Sequence, residues 1–270
     1  MGTTTDKLNH LINTKEGIRQ EINRAYNAEE IGTSDTFSSY IQKLEEHPYY
    51  IIRYIERSIE SIKSSNATSI GNYAFYSCNN LTEASFPNAT DIDQNAFYAC
   101  SSLTKASFPN AASIGFGAFE SCSNLTEVSF PVAASIGSEA FKRCVNLTEA
   151  SFPNATRIGF SAFIYCSKLT SVYFPVATSI GQNAFESCRS LTEVSFPAAT
   201  SIDNYAFYGC SNLTTIYVGT NTSTICTLSN TNAFTNCTNL TNIYVPASLV
   251  SSYKSATNWL TFASKIKAAP

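Results

Sequence analysis

An α/β solenoid is the fold the sequence predicts, and three periodic features carry that prediction. Cysteines fall at Cys78, Cys100, Cys122, Cys144, Cys166, Cys188 and Cys210, a constant step of 22, with Cys237 following 27 residues later. Leucines keep the same step at Leu81, Leu103, Leu125, Leu147, Leu169, Leu191 and Leu213. An Ala-Phe pair recurs from Ala74-Phe75, so that Phe97, Phe119, Phe141, Phe163, Phe185 and Phe207 make a third column. A fixed period of this length marks stacked units, none of which can bury its apolar face alone.

Taken in chain order, residues 1–46 read as a helical segment. Leu8, Leu11 and Ile12, then Ile18 and Ile22, recur at helical spacing. A break at Gly32-Thr33 precedes Ser34-Asp35, which can cap a second helix displaying Phe37, Tyr40, Ile41 and Leu44. This apolar set is too small for an independent domain, so the segment is expected to dock or to mediate assembly as a homo-oligomer or larger particle. Residues 47–58 form a linker or N-capping helix, because the repeat positions there hold Arg53 and Glu56 where Phe and Cys should stand.

The solenoid itself is expected over 59–246. In Leu191-Thr192-Glu193-Val194-Ser195-Phe196, Val194 and Phe196 point to one side of a strand and Ser195 to the other. Pro197 then ends the strand, since it has no N–H for a ladder. The Ser-Ile-Gly or Ser-Ile-Asp step turns another apolar residue inward, and Ala-Phe-x-x-Cys reads as one helical turn with Phe and Cys on a common face. Five or six inward side chains at ~1.5–3 kcal/mol each contribute roughly 10 kcal/mol per coil. Ordering a coil's backbone at ~1 kcal/mol or more per residue costs more than that, so a lone coil does not fold. The penultimate unit carries five extra residues, including Cys226, as a loop or a widened coil. Residues 247–270 read as a C-terminal helical cap, with Leu249, Val250 and Tyr253 on one face and Trp259, Phe262, Ala263 and Ile266 on a second.

Composition excludes several functions. Charged residues are only 14% of 270, and the net charge is −3, so no electrostatic footprint for nucleic acid exists. No apolar run is long enough to span a membrane, and the N-terminus lacks the basic-then-apolar pattern of a signal peptide. Histidine occurs only at His10 and His47, outside the coils. The cysteine ladder lacks the close pairs of metal sites and reads as a buried column of small thiols, with no metal or other cofactor. Glu83, Glu127, Glu149 and Glu193 share one register position. Two such acids can in principle serve a glycosidase, but acids repeated by register read better as solvated positions flanking the strand. The outward strand column turns from serine to Tyr173, Tyr217 and Tyr244 toward the C-terminal half. These tyrosines offer a contact patch, although β-propensity alone also favours them there. A second set of aromatics, among them Tyr73, Phe116, Phe160 and Tyr165, occupies positions that vary between coils. They read either as a second adhesive edge or as rings packed against one another.

The pattern Leu-x-x-Val-x-Phe-Pro…Ser-Ile-Gly-x-x-Ala-Phe-x-x-Cys resembles the BspA-like class of leucine-rich repeats. The resemblance implies a concave parallel sheet with short helical turns outside, and a non-enzymatic protein of recognition or adhesion. Its implied partners are proteins or glycans on a host or microbial surface, with a bacterial-surface or extracellular location. Residues 1–46 resemble helical segments of phage tail-associated proteins. This implies the alternative of a structural scaffold, intracellular or in a phage particle, joined to its assembly through those helices.

Overall fold

The structure, a computed structural model, describes residues 60–270. The helical expectations for 1–46 and 47–58 lie outside the described residues. What is described is a parallel β-solenoid whose coils have three sides. On the first side a short strand such as Glu149–Ser151 pairs in parallel with Glu127–Ser129 before it and Ser171–Tyr173 after it. On the second side two-residue strands, from Ser69–Ile70 to Thr227–Leu228, form one unbroken eight-stranded ladder. The first-side strands divide into sheets of three, three and four, with breaks after Lys105–Ser107 and after Ser171–Tyr173. Each break adjoins a half-buried member of an otherwise buried inward column, Ala106 and Val172.

The third side differs from the helical turn the sequence predicts. Backbone donors alternate in purpose: Tyr73, Phe75 and Ser77 give their N–H to Gln94, Ala96 and Tyr98 of the next coil, at 2.7–3.0 Å, while Ala74, Tyr76 and Cys78 bond three residues back. Two positions per coil are left-handed. One column runs Tyr73, Asn95, Gly117, Glu139, Ser161, Asn183, Tyr205, and the other Ser77, Ala99, Ser121, Arg143, Tyr165, Ser187, Gly209. Only Gly117 and Gly209 among these escape the steric cost of ~1–2 kcal/mol per residue. The inter-coil hydrogen bonds hold the remainder there, because they satisfy N–H groups that a lone helical turn would leave without a partner.

Two phenylalanine columns fill the interior. Phe75 to Phe234 stack coil upon coil at 5.0–5.6 Å, nearly parallel. Phe86 to Phe196 stack likewise, and rings of the two columns meet tilted or edge-on, as in Phe141 with Phe152 at 5.7 Å and 62°. The Leu81–Leu213 and Cys78–Cys210 columns are fully buried beside them. Each thiol from Cys100 to Cys210 donates to the carbonyl of the phenylalanine 25 residues earlier, at 3.0–3.1 Å. The same carbonyl already accepts the backbone N–H three residues on, so its second lone pair is used by sulfur. All nine cysteines are free and buried.

The C-terminal segment corrects the expectation of a helical cap. It contains one six-residue helix, Val250–Ser255, two 3₁₀ turns, and a strand, Ile266–Ala268, that pairs in parallel with Asn242–Val245. The last coil leaves a row of unpaired backbone groups at its edge, which a strand can satisfy and a helix cannot. Trp259 and Phe262 lie against Phe234 and so close the first phenylalanine column. The five extra residues make a widened coil. The Cys226 N–H donates to the Tyr253 hydroxyl and its carbonyl accepts from Trp259 Nε1, both at 2.7 Å. Asn258 Nδ2 donates to Leu228 and Ser229, capping the edge of the second ladder.

Two outcomes follow from this packing. Trp259→Ala removes the closing ring and leaves the Cys226 carbonyl unpaired, so chemical denaturation should show a loss of about 3–5 kcal/mol. Amide exchange should rise first around residues 219–245; a uniform rise across all coils would contradict an end-localised role. Burial pushes the thiols well above their ordinary values, Cys226 and Cys237 to about 12. Such a group favours the folded state fully below the unfolded thiol's pKa of roughly 8.5, and less as pH rises past it and only the unfolded chain ionises. The melting temperature should therefore hold between pH 6 and 8 and fall toward pH 10, less steeply in a Cys144→Ala/Cys166→Ala variant. A thiol reagent at pH 8 should label none of the nine cysteines before denaturation and all of them after.

Candidate functional site

The outward side chains of the first-side strands form two columns fixed by strand register. One column runs Lys63, Ser85, Ser107, then Ser129, Ser151, Tyr173, then Ser195, Tyr217, Tyr244, Lys267. Alternation along each strand makes this so, because the residue between them, such as Val194 or Ile216, is committed to the core. Tyr173 is 56% exposed, the most exposed aromatic of the described residues. Tyr217 and Tyr244 stack with ring centroids 4.9 Å apart and 20° between planes. Partial desolvation, then the nearby Glu193 carboxylate and Tyr244, raise the Tyr217 phenol above its usual value. The structure thus brings Tyr217, Tyr244 and Glu193 together, and sets Tyr173 one coil further along, beyond Ser195.

The second column runs Ser61, Glu83, Lys105, then Glu127, Glu149, Ser171, then Glu193, Thr215, Asn242. Glu83 is engaged by Lys63 at 3.1 Å. Glu127 and Glu149 are register neighbours on adjacent strands and both are exposed. Neither they nor Glu193 form an ion pair among the described residues. These acids stand on an open sheet face rather than opposite one another across a cleft, as acid–base hydrolysis of a glycosidic bond needs. Lys267, at the end of the tyrosine column, donates to Asn242 Oδ1 at 2.6 Å. It is absent from the sequence reading, because the segment after Pro246 breaks the repeat and nothing in it announces a further strand.

The threonine column beside this face is occupied structurally. Thr82, Thr104, Thr148, Thr170 and Thr214 each donate a hydroxyl to a carbonyl of the preceding coil at 2.8–3.1 Å. On the third side the variable aromatics split in two. Tyr76 stacks on Tyr98 at 4.8 Å, and Arg143 lies over Tyr165 at 6.0 Å. Phe116 and Phe160 stay exposed with no ring partner among the described residues. No group of three or more His, Cys, Asp or Glu among the described residues has metal-binding geometry, and no described helix is long and apolar enough to cross a membrane.

Several solved structures are similar to the chain. A leucine rich cell surface protein from Faecalibacterium prausnitzii shares 21% identity over 79% of this chain and 64% of its own, with a TM-score of 0.44. A leucine-rich repeat protein from Bacteroides ovatus shares 22% over 78% of this chain and 66% of its own, with a TM-score of 0.48. The leucine-rich repeat protein of T. pallidum shares 21% over 78% and 87%, with a TM-score of 0.48. The chain spans less than two thirds of the length of the first two. No curated protein matches it. The family model of the BspA type leucine rich repeat region, in six copies, matches residues 49–170 and 134–262, and the chain therefore belongs to the BspA-type leucine-rich repeat family.

Proposed function

We propose that this chain is a non-catalytic recognition module that holds a protein or glycan partner, on a host or microbial surface, against its outward strand face. The observation that carries this reading is the Tyr173, Tyr217 and Tyr244 column. Serine fills the same position in Ser85, Ser107, Ser129, Ser151 and Ser195, so the solenoid itself has no need of a ring there. Holding a large side chain 56% in water at Tyr173 gains the fold little. Tyrosine supplies broad amphipathic contact area at low entropic cost, which suits a partner surface. The face is rigid, because both backbone edges of every strand in the four-stranded sheet from Glu193 to Ala268, apart from the two outermost edges, are paired.

Electrostatics narrows the mode of contact. The tyrosine-bearing end of the face carries a single unpaired carboxylate, Glu193, and no basic stripe, so it attracts partners by area and hydrogen bonding rather than by long-range steering, and binding should vary little with salt. A surface-protein and glycan binding screen with the full chain, repeated with Tyr173, Tyr217 and Tyr244 all changed to Ala, tests the reading. Affinity should fall at least about a hundredfold, since two or three ring contacts are lost, while the melting temperature stays within a few degrees. Unchanged binding in the triple variant would refute the tyrosine face.

A further inference from the structure

One position in the tyrosine column is empty of a ring, and its neighbours give that gap a shape. Ser195 pairs in register with Tyr217, which pairs with Tyr244, while Tyr173 belongs to the preceding coil on the other side of Ser195. The Tyr217–Tyr244 stack fixes how these rings stand: they are nearly parallel, one strand apart, and Tyr244 covers only one face of Tyr217. The other face of Tyr217 lies on the Ser195 side of the stack. Tyr173 makes no ring contact among the described residues, and the strand pairing is itself broken between Ser171–Tyr173 and Glu193–Phe196. Two strand steps therefore separate the Tyr173 and Tyr217 positions by at least about 9.6 Å.

That width discriminates between occupants. At that least separation, with the Tyr173 ring parallel to Tyr217, two van der Waals contacts of ~3.5–4 Å leave roughly 2 Å for the thickness of whatever lies between, and the Phe174–Phe196 spacing of 6.0 Å across the same step shows that it widens only modestly. A flat aromatic ring leaves slack in such a gap. A puckered sugar ring, with carbon atoms above and below its mean plane and C–H groups on both faces, fills it. The floor is polar in the way a sugar needs: Ser195 and Glu193 are exposed on the same outward face of one strand, and neither side chain has a hydrogen-bond or ion-pair partner among the described residues. A hydroxyl and a free carboxylate together can take the hydrogen bonds of a vicinal diol.

The geometry points to a saccharide subsite over Ser195, walled by Tyr173 and Tyr217 and floored by Ser195 and Glu193, which takes one pyranose unit of a glycan. The assignment rests on the strand face being the recognition surface and narrows the partner to a carbohydrate. Filling the gap separates the two ideas. Ser195→Tyr inserts a ring where three other coils carry one naturally, so the fold tolerates it and the tyrosine face grows more continuous.

Saturation-transfer NMR on the full chain, with gluco-, manno-, galacto- and chitotriose as probes, reads the outcome. At least one trisaccharide should bind, with transfer to its ring C–H protons. Ser195→Tyr and Tyr173→Ala should each weaken it about tenfold or more, and Glu193→Gln several-fold, with melting unchanged. Binding that survives Ser195→Tyr, or no transfer to any of the four probes, overturns the subsite. A protein partner retained by Ser195→Tyr but lost when the three tyrosines become Ala also overturns it, while leaving the recognition face standing.

Discussion

Everything in this molecule depends on one constraint: each coil must present to the next the same backbone groups at the same height. Parallel pairing on two sides and alternating turn hydrogen bonds on the third meet it, so neighbouring coils are joined on all three sides except at the two breaks in the first-side sheet. Once the spacing is set at ~4.8 Å, a side chain meets its equivalent in the next coil at nearly van der Waals distance. Rings must then stack, which is why Phe119 and Phe141 lie 5.3 Å apart and 2° from parallel. The same spacing makes the cysteine column fit, since sulfur is small enough for the gap and still supplies a donor to the buried phenylalanine carbonyl. Alanine would fill less space and leave that lone pair idle; serine would cost more to desolvate.

The unusual polarity of the chain has the same origin. Threonine hydroxyls donate to carbonyls one coil back, and Asn88, Asn110 and Asn154 reach backward to Ser65, Pro87 and Pro131. Short polar side chains can make these bonds because the target lies a single strand step away. Long charged side chains would overshoot it and lose more rotamer freedom in being held. A low charge content therefore reflects how the coils are sewn together, and only secondarily what the surface meets. One charged cluster does enter the turns, with Lys142 between Glu120 and Glu139 at 3.2 and 2.7 Å.

Which features can be read from residue order follows from this physics. A buried column admits few residue types, so Leu, Phe and Cys repeat visibly, and the solenoid and its inward positions are legible. A left-handed turn position is imposed by hydrogen bonds to the next coil and not by a place in the apolar core. Tyr, Asn, Glu, Ser and Arg all occupy such positions, which leaves no residue signature; a helical turn was the natural inference from Ala-Phe-x-x-Cys alone. The closing strand Ile266–Ala268 was hidden for a different reason. Three residues have no measurable period, and only the open edge of the last coil selects a strand over a helix. At the candidate site the tyrosine column was legible by position. The gap over Ser195 was not, because it depends on ring orientation, known only from the Tyr217–Tyr244 stack.

A repeat that tolerates variation only outward separates stability from recognition along each strand. Val194 and Phe196 hold the coil, while Glu193 and Ser195, interleaved with them, are free to change. Substitutions on the outward face therefore alter what the face touches without disturbing the stack, and the register fixes where each new side chain lands to within a strand step. The same regularity explains why a single serine among tyrosines matters. On an irregular surface a missing ring leaves an undefined hollow, whereas here it leaves a gap at least two strand steps wide between positions that the backbone sets.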